Sequence, residues 1–328
     1  MRYATLILCG LCACSSNSPQ QAVPRAPQLQ LVVANQQAGT ASVLTPDGST
    51  MVHLPVGEGP HEAVISPDGR TAVVSIYGAR TPGHQLAVID LTRDSVIRMI
   101  TLDAPPYFRP HGMAFLNGGK QLIATSEVAQ KLVIVDLTTG AFVNAIPTNA
   151  RGSHMVAVTA DGKHAFTSNV PDNTVSEIDV AKGAFVRKFD VPLQPEGITV
   201  LPNGSEVWVG SNKTGAVSVI STSSGSITHT ISGMTFPYRL GASPDGKLVA
   251  IVDGEGNKLQ VASVAEHRLI GSIDLEKPRG VIITSDNRHA YVTLEGEQVV
   301  EVDLAALKVL RTFAVQASPD GVGAWLRP

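Results

Sequence analysis

The apolar positions of this chain fall in short runs of four to eight residues, wholly apolar or alternating with polar ones. Gly, Pro, Asp and Asn punctuate them. Runs of that length, rich in Val, Ile and Leu and bounded by turn residues, predict strands. One stretch shows the grammar. Gly112–Leu116 is a strand, 117–119 (Asn-Gly-Gly) a turn, Gln121–Ser126 a second strand and Lys131–Asp136 a third. Thr138-Thr139-Gly140 turns the chain into a fourth, Phe142–Ile146.

The grammar repeats. Pro60-His61-Glu62, Pro110-His111-Gly112, Ser153-His154-Met155, Pro195-Glu196-Gly197, Pro237-Tyr238-Arg239, Pro278-Arg279-Gly280 and Pro319-Asp320-Gly321 begin at intervals of 50, 43, 42, 42, 41 and 41 residues. That is the period of one four-stranded propeller blade. The ends complement each other. The N-terminal part supplies only a second, third and fourth strand (Leu31–Asn35, Ala41–Leu44, Met51–Pro55), and Asp320–Leu326 only a first. The expected fold over residues 29–328 is all-β. It is a seven-bladed β-propeller of four-stranded antiparallel blades, its ring closed by the N-terminal three strands plus the C-terminal strand.

The first turn of each unit recurs as Pro67-Asp68-Gly69, Ala160-Asp161-Gly162, Pro202-Asn203-Gly204, Pro244-Asp245-Gly246 and Ser285-Asp286-Asn287. Asp or Asn caps its own turn there and Gly takes positive φ cheaply. Asp90, Asp136, Asp179 and Asp303 end the third strands and read as turn caps too.

Composition then narrows the partners. A net charge of −3 with only 16% charged residues gives no long-range pull on nucleic acid or an anionic membrane surface. Arg2, the apolar Ala4–Leu11 and then Leu11-Cys12-Ala13-Cys14 resemble a bacterial lipoprotein signal. Residues 1–14 are therefore expected to end at a lipidated Cys14, and the Ser-, Pro- and Gln-rich 15–28 to form a flexible tether. This places a monomer in the cell envelope, on the periplasmic side or the outer membrane. All three cysteines lie in this leader, so the propeller has no thiol chemistry.

Val207–Asn212 and Ala290-Tyr291-Val292-Thr293, with third strands such as Leu86–Leu91, resemble YVTN-type repeats. Those repeats build YncE-like and lactonase-like seven-bladed propellers. The resemblance spans residues 29–328 and implies the fold. It does not imply one function, because such propellers include enzymes, cofactor binders, nucleic-acid binders and surface-layer proteins.

In a propeller the first strands line the central channel. The repeat therefore gathers His61, His111, His154, Glu196, Tyr238, Arg279 and Asp320 around one mouth. Three histidines on neighbouring blades suit a transition metal such as zinc, copper or iron, with a fourth position open. In that event Glu62 or Glu196 is the candidate general base, and Arg109 or Arg279 the oxyanion partner. Equally, the second reading of these histidines is structural: each bonds the backbone of a neighbouring blade. Lactonase-type propellers use acidic and Asn ligands, from which a His-rich ring departs. Blade one is longer than the rest at Tyr77–His84 and Asp103–Phe108, on the face where the mouth opens. These loops bring Tyr77, Arg80, His84, Tyr107, Phe108 and Arg109 towards His61 and His111, as candidate ligand contacts beside Tyr238 and Asp320. No Walker, dinucleotide-binding or Gly-x-Ser-x-Gly motif occurs. Three readings stand: an envelope-anchored binding protein holding a small molecule, glycan or protein at this face, a metal-dependent lyase or lactonase-like hydrolase, or a haem-like redox-cofactor binder.

Overall fold

The structure, a computed structural model, describes residues 30–102 and 107–325. The expected signal, Cys14, the tether and Asp103 lie outside the described residues. Seven four-stranded antiparallel sheets form the blades. Blade one runs Pro60–Ile65, Thr71–Gly78, Pro82–Asp90, Ser95–Thr101. Blades two to six begin with Pro110–Leu116, Ser153–Val158, Pro195–Val200, Pro237–Ala242 and Pro278–Ile283. Blade seven is composite. Pro319–Trp325 pairs antiparallel with Gln30–Asn35, which continues into Thr40–Leu44 and Met51–Pro55. The ring therefore closes by the two ends of the chain, as its incomplete end units require, and Gln30–Asn35 is paired on both sides.

Second and third strands are buried on both faces because each blade is sandwiched between two others. Between blades one and two, Val73, Leu86 and Val88 pack with Leu122, Ala124, Val133 and Val135. Fourth strands lie on the rim and expose Ile97, Phe142, Ile270 and Leu310. The aspartates cap turns as expected. Asp68, Asp161, Asp245 and Asp286 each accept a hydroxyl two residues back at 2.6–2.7 Å, and a backbone N–H two residues on.

The Pro-x-Gly landmark has a steric cause. A Cβ on Gly112 would stand 2.5 Å from Val156 N, one on Gly197 2.6 Å from Tyr238 O, and one on Gly280 2.4 Å from Asp320 O. Each of these atoms belongs to the first strand of the next blade. The third landmark position is thus glycine where a neighbouring strand presses in. Around the ring it runs Glu62, Gly112, Met155, Gly197, Arg239, Gly280, Gly321, large and small in turn. Seven is odd, so the alternation fails once, at the adjacent Gly280 and Gly321. Gly280→Ala is expected to destabilise the fold by about 1–3 kcal/mol through overpacking. A guanidinium denaturation midpoint equal to that of the unsubstituted protein would refute this account of the repeat.

Candidate functional site

The pairing register breaks at the landmark of each of blades one to six, for example between Pro60 and Ala63, Pro195 and Ile198, and Pro278 and Val281. A bulge there re-aims side chains that flat pairing would leave between blades. Hydroxyls on the second strands hold several of the bulges. Thr125 Oγ1 receives His111 N at 3.3 Å and donates to His154 O at 2.8 Å. Thr293 Oγ1 receives Gly280 N at 2.6 Å and donates to Asp320 O at 2.6 Å. Ser168 joins Met155 N to Glu196 O in the same way. Each hydroxyl fixes its own blade's bulge and the next blade's ring residue together.

A second ring stands beside the first, one residue beyond the second-strand partner of each landmark. Its members are Gln36, Tyr77, Glu127, Val170, Asn212, Gly254 and Glu295. The two rings interlock. His61 lies with Nδ1 2.8 Å from Asp320 Oδ2 and Nε2 2.5 Å from Gln36 Nε2. Tyr77 donates to Glu127 Oε2 at 2.8 Å. His154 is held between Glu127 at Nδ1 and Glu196 Oε1, 2.7 Å from Nε2. Asn212 donates to Glu196 Oε2 at 3.1 Å, and Arg279 to Glu295 Oε2 at 2.8 Å.

Arg239, 4% exposed, crosses the channel. Its Nε and Nη2 donate to Glu62 Oε1 at 3.1 and 2.9 Å, and Nη1 to Glu196 Oε1 at 3.3 Å. One guanidinium thus ties blade five to blades one and four. The three histidines are brought together, with ring centres 4.7 Å apart for His61–His111 and 3.8 Å for His111–His154. Their nitrogens, however, turn to separate carboxylates, Asp320, Glu62 (3.8 Å from His111 Nδ1) and Glu127 with Glu196. Among the described residues no three His, Cys, Asp or Glu side chains are grouped to hold a metal ion.

Protonation differs from ring to ring. Burial opposes charge on His154, but Glu196 and Glu127 outweigh it and push its pKa up to about 9. His111 goes the other way: burial, then His154, His61 and Arg239, hold it well below the usual range, so it is neutral. Burial opposes ionisation of Glu196, yet His154 and Arg239 hold it at about 2. Burial lifts Glu62 despite Arg239. Asp320 is lowered, because His61 and Arg239 overcome burial.

These shifts fix a pH profile. His154 titrates higher folded than unfolded, so its stabilisation is complete below its ordinary pKa of 6.5 and fades as pH rises through about 9. Glu196 titrates lower folded, so its share is present above its ordinary 4.5 and lost as pH falls towards about 2. Denaturation midpoints are expected to fall between pH 6.5 and 9, and His154→Gln to flatten that slope. A slope unchanged in the variant would contradict the assignment.

The other expected contacts divide. Arg109 lies over the Tyr77 ring at 4.6 Å and donates to Ala79 O, locking Tyr77 beside His61. His84 packs edge-on against Phe108, and Arg80 is exposed at the hairpin tip. Tyr107 is 3% exposed, within the apolar layer between blades one and two, and stacks on Phe142. It is placed as a packing residue. Tyr238, Arg279, Asp320 and His61 line a cavity of about 180 Å³ with Gln36, Gln37 and Glu295. Asp320 Oδ1 is buried there without a hydrogen-bond partner.

No family model and no curated protein sequence matches the chain. Many solved structures share its shape. One is hydrazine synthase of Kuenenia stuttgartiensis, with a TM-score of 0.74 and 16% identity over 88% of this chain and 99% of that one. At that identity the likeness speaks for the propeller fold alone.

Proposed function

We propose that the chain is an envelope-anchored binding propeller that takes a small polar molecule at the channel mouth, in the sector of blades five to seven. One observation carries this. The cavity there is walled by hydrogen-bonding groups, and the Asp320 carboxylate in its wall keeps one buried oxygen unpartnered. Anchoring rests on Cys14 and the sequence around it.

The acid–base groups support binding over chemistry. Glu196 is ionised far below neutral pH and so is not poised as a general base near pH 7, and the Glu62 carboxylate is occupied by Arg239. Arg279 is engaged by Glu295. A metal shared by His61, His111 and His154, or an axial bond from His154 to a haem, needs His154 turned out of its two carboxylate contacts. A cationic His154 has no lone pair to give.

The test is a thermal-shift screen of polar metabolites and short saccharides, followed by calorimetry. A ligand is expected whose affinity falls roughly tenfold or more in Arg279→Ala, which removes a charged donor. The reading fails if nothing in the screen binds, or if every ligand found ignores Arg279→Ala and Gln37→Ala alike.

A further inference from the structure

The mouth cavity does not end at Arg279. Arg279 and Glu295 also wall a cavity of about 500 Å³ with Phe236, Gly254, Asn257 and Lys277. Lys277 and Glu295 border a further one of about 380 Å³. Each shares wall residues with the next, so the three lie in a row, a trough stepped by the paired Arg279, Lys277 and Glu295 side chains and running from the mouth outwards over blades five and six. Its cause lies in the second ring, where blade five contributes Gly254 and so no side chain. A Cβ there would meet Pro278 O at 3.5 Å and the Phe236 ring and Tyr238 Cβ at 3.7 Å, ordinary contact distances, so a Cβ is accommodated.

Resting on the mouth as a ligand site, we infer that the trough holds an extended neutral oligosaccharide whose terminal sugar enters the mouth cavity. The rings of Phe236 and Tyr238 lie 5.9 Å apart at 24°, a half-buried aromatic step suited to the C–H face of a sugar ring. Around it stand acceptors and donors for hydroxyls: Glu295, Asn257, Arg279 and Lys277, with Gln36, Gln37 and Asp320 in the wall of the mouth cavity. The alternatives fit worse. Arg279 and Lys277 face Glu295 at 2.8 and 3.8 Å, so the trough offers no positive field for a polyanion. An extended peptide needs a strand edge or apolar pockets along its path, whereas the edge strands here are the first strands around the channel and the fourth strands on the rim, and the trough is walled by polar side chains between them.

The test is calorimetry on the full-length protein with cellohexaose, maltohexaose and N-acetylchitohexaose, each beside its monosaccharide. At least one hexasaccharide is expected to bind roughly tenfold tighter than its own monosaccharide. Phe236→Ala is expected to weaken the hexasaccharide about tenfold and leave the monosaccharide unchanged. Gly254→Leu, whose Cβ is tolerated, is expected to block the trough without lowering Tm. No hexasaccharide binding at millimolar concentration overturns the inference, as does equal affinity of long and short forms that is indifferent to both substitutions. A ligand held at the mouth that ignores Phe236 and Gly254 leaves the binding reading in place and removes the trough. Loss of both kinds of binding removes both.

Discussion

Arg239→Met is expected to lower folding stability by about 3–5 kcal/mol, the cost of taking one partner from a buried ion pair. The methionine keeps most of the stem volume, so packing changes little. The charge balance changes much. Glu62, 9% exposed, loses two bonds from the guanidinium and keeps only His111, at 3.8 Å. Glu196 fares better, with His154 and Asn212 still in place. The double substitution Arg239→Met with Glu62→Gln is therefore expected to recover more than half of the loss. Chemical denaturation of the single and double variants measures this coupling directly. A single variant within 1 kcal/mol of the unsubstituted protein by that measurement would show the cross-channel pair to be energetically idle.

The second large effect comes from the seam. Removing residues 319–328 strips Gln30–Asn35 of its inner partner and turns a closed ring into an open sheet stack with a bare edge. It also takes Val322 from a core shared with Leu31, Val33 and Tyr291, and the Trp325 indole N–H from Pro67 O. Most of the truncated chain is expected in the insoluble fraction, and the soluble remainder to elute as aggregate. Adding a synthetic peptide of residues 319–328 during refolding is expected to restore monomeric elution. A truncated chain that stays monomeric and melts within a few degrees of the parent would mean that the seam contributes little.

Most of the fold was legible because blade grammar is local. The second and third strands of blade two fall at Gln121–Ser126 and Lys131–Asp136, as the pattern predicts. Its first strand starts at Pro110 rather than Gly112, since the proline pairs with Ser126 across a bulge that periodicity does not reveal. The first ring was legible for the same reason, as one position repeated. Arg239 and Glu127 were not. Arg239 sits at the landmark's third position, where a glycine in four of the seven blades makes the position read as steric and draws attention away from a charged exception. Glu127 belongs to the second ring, whose signal is a second register one residue past each second strand. Tyr107 shows the opposite failure, because an aromatic in an inserted loop fills an apolar layer as readily as it lines a ligand site. The unequal protonation of three histidines that look alike in sequence depends on distances across the channel, which no single repeat contains.

The composite blade also decides which way the molecule faces. Gln30 and Trp325 are paired at the end of their strands away from Pro319 and the mouth. The polypeptide therefore leaves the propeller, in both directions, through the far face. A fluorophore, a fused domain or an immobilising surface joined directly at Gln30 or Trp325 would meet the disc on the face opposite the channel mouth.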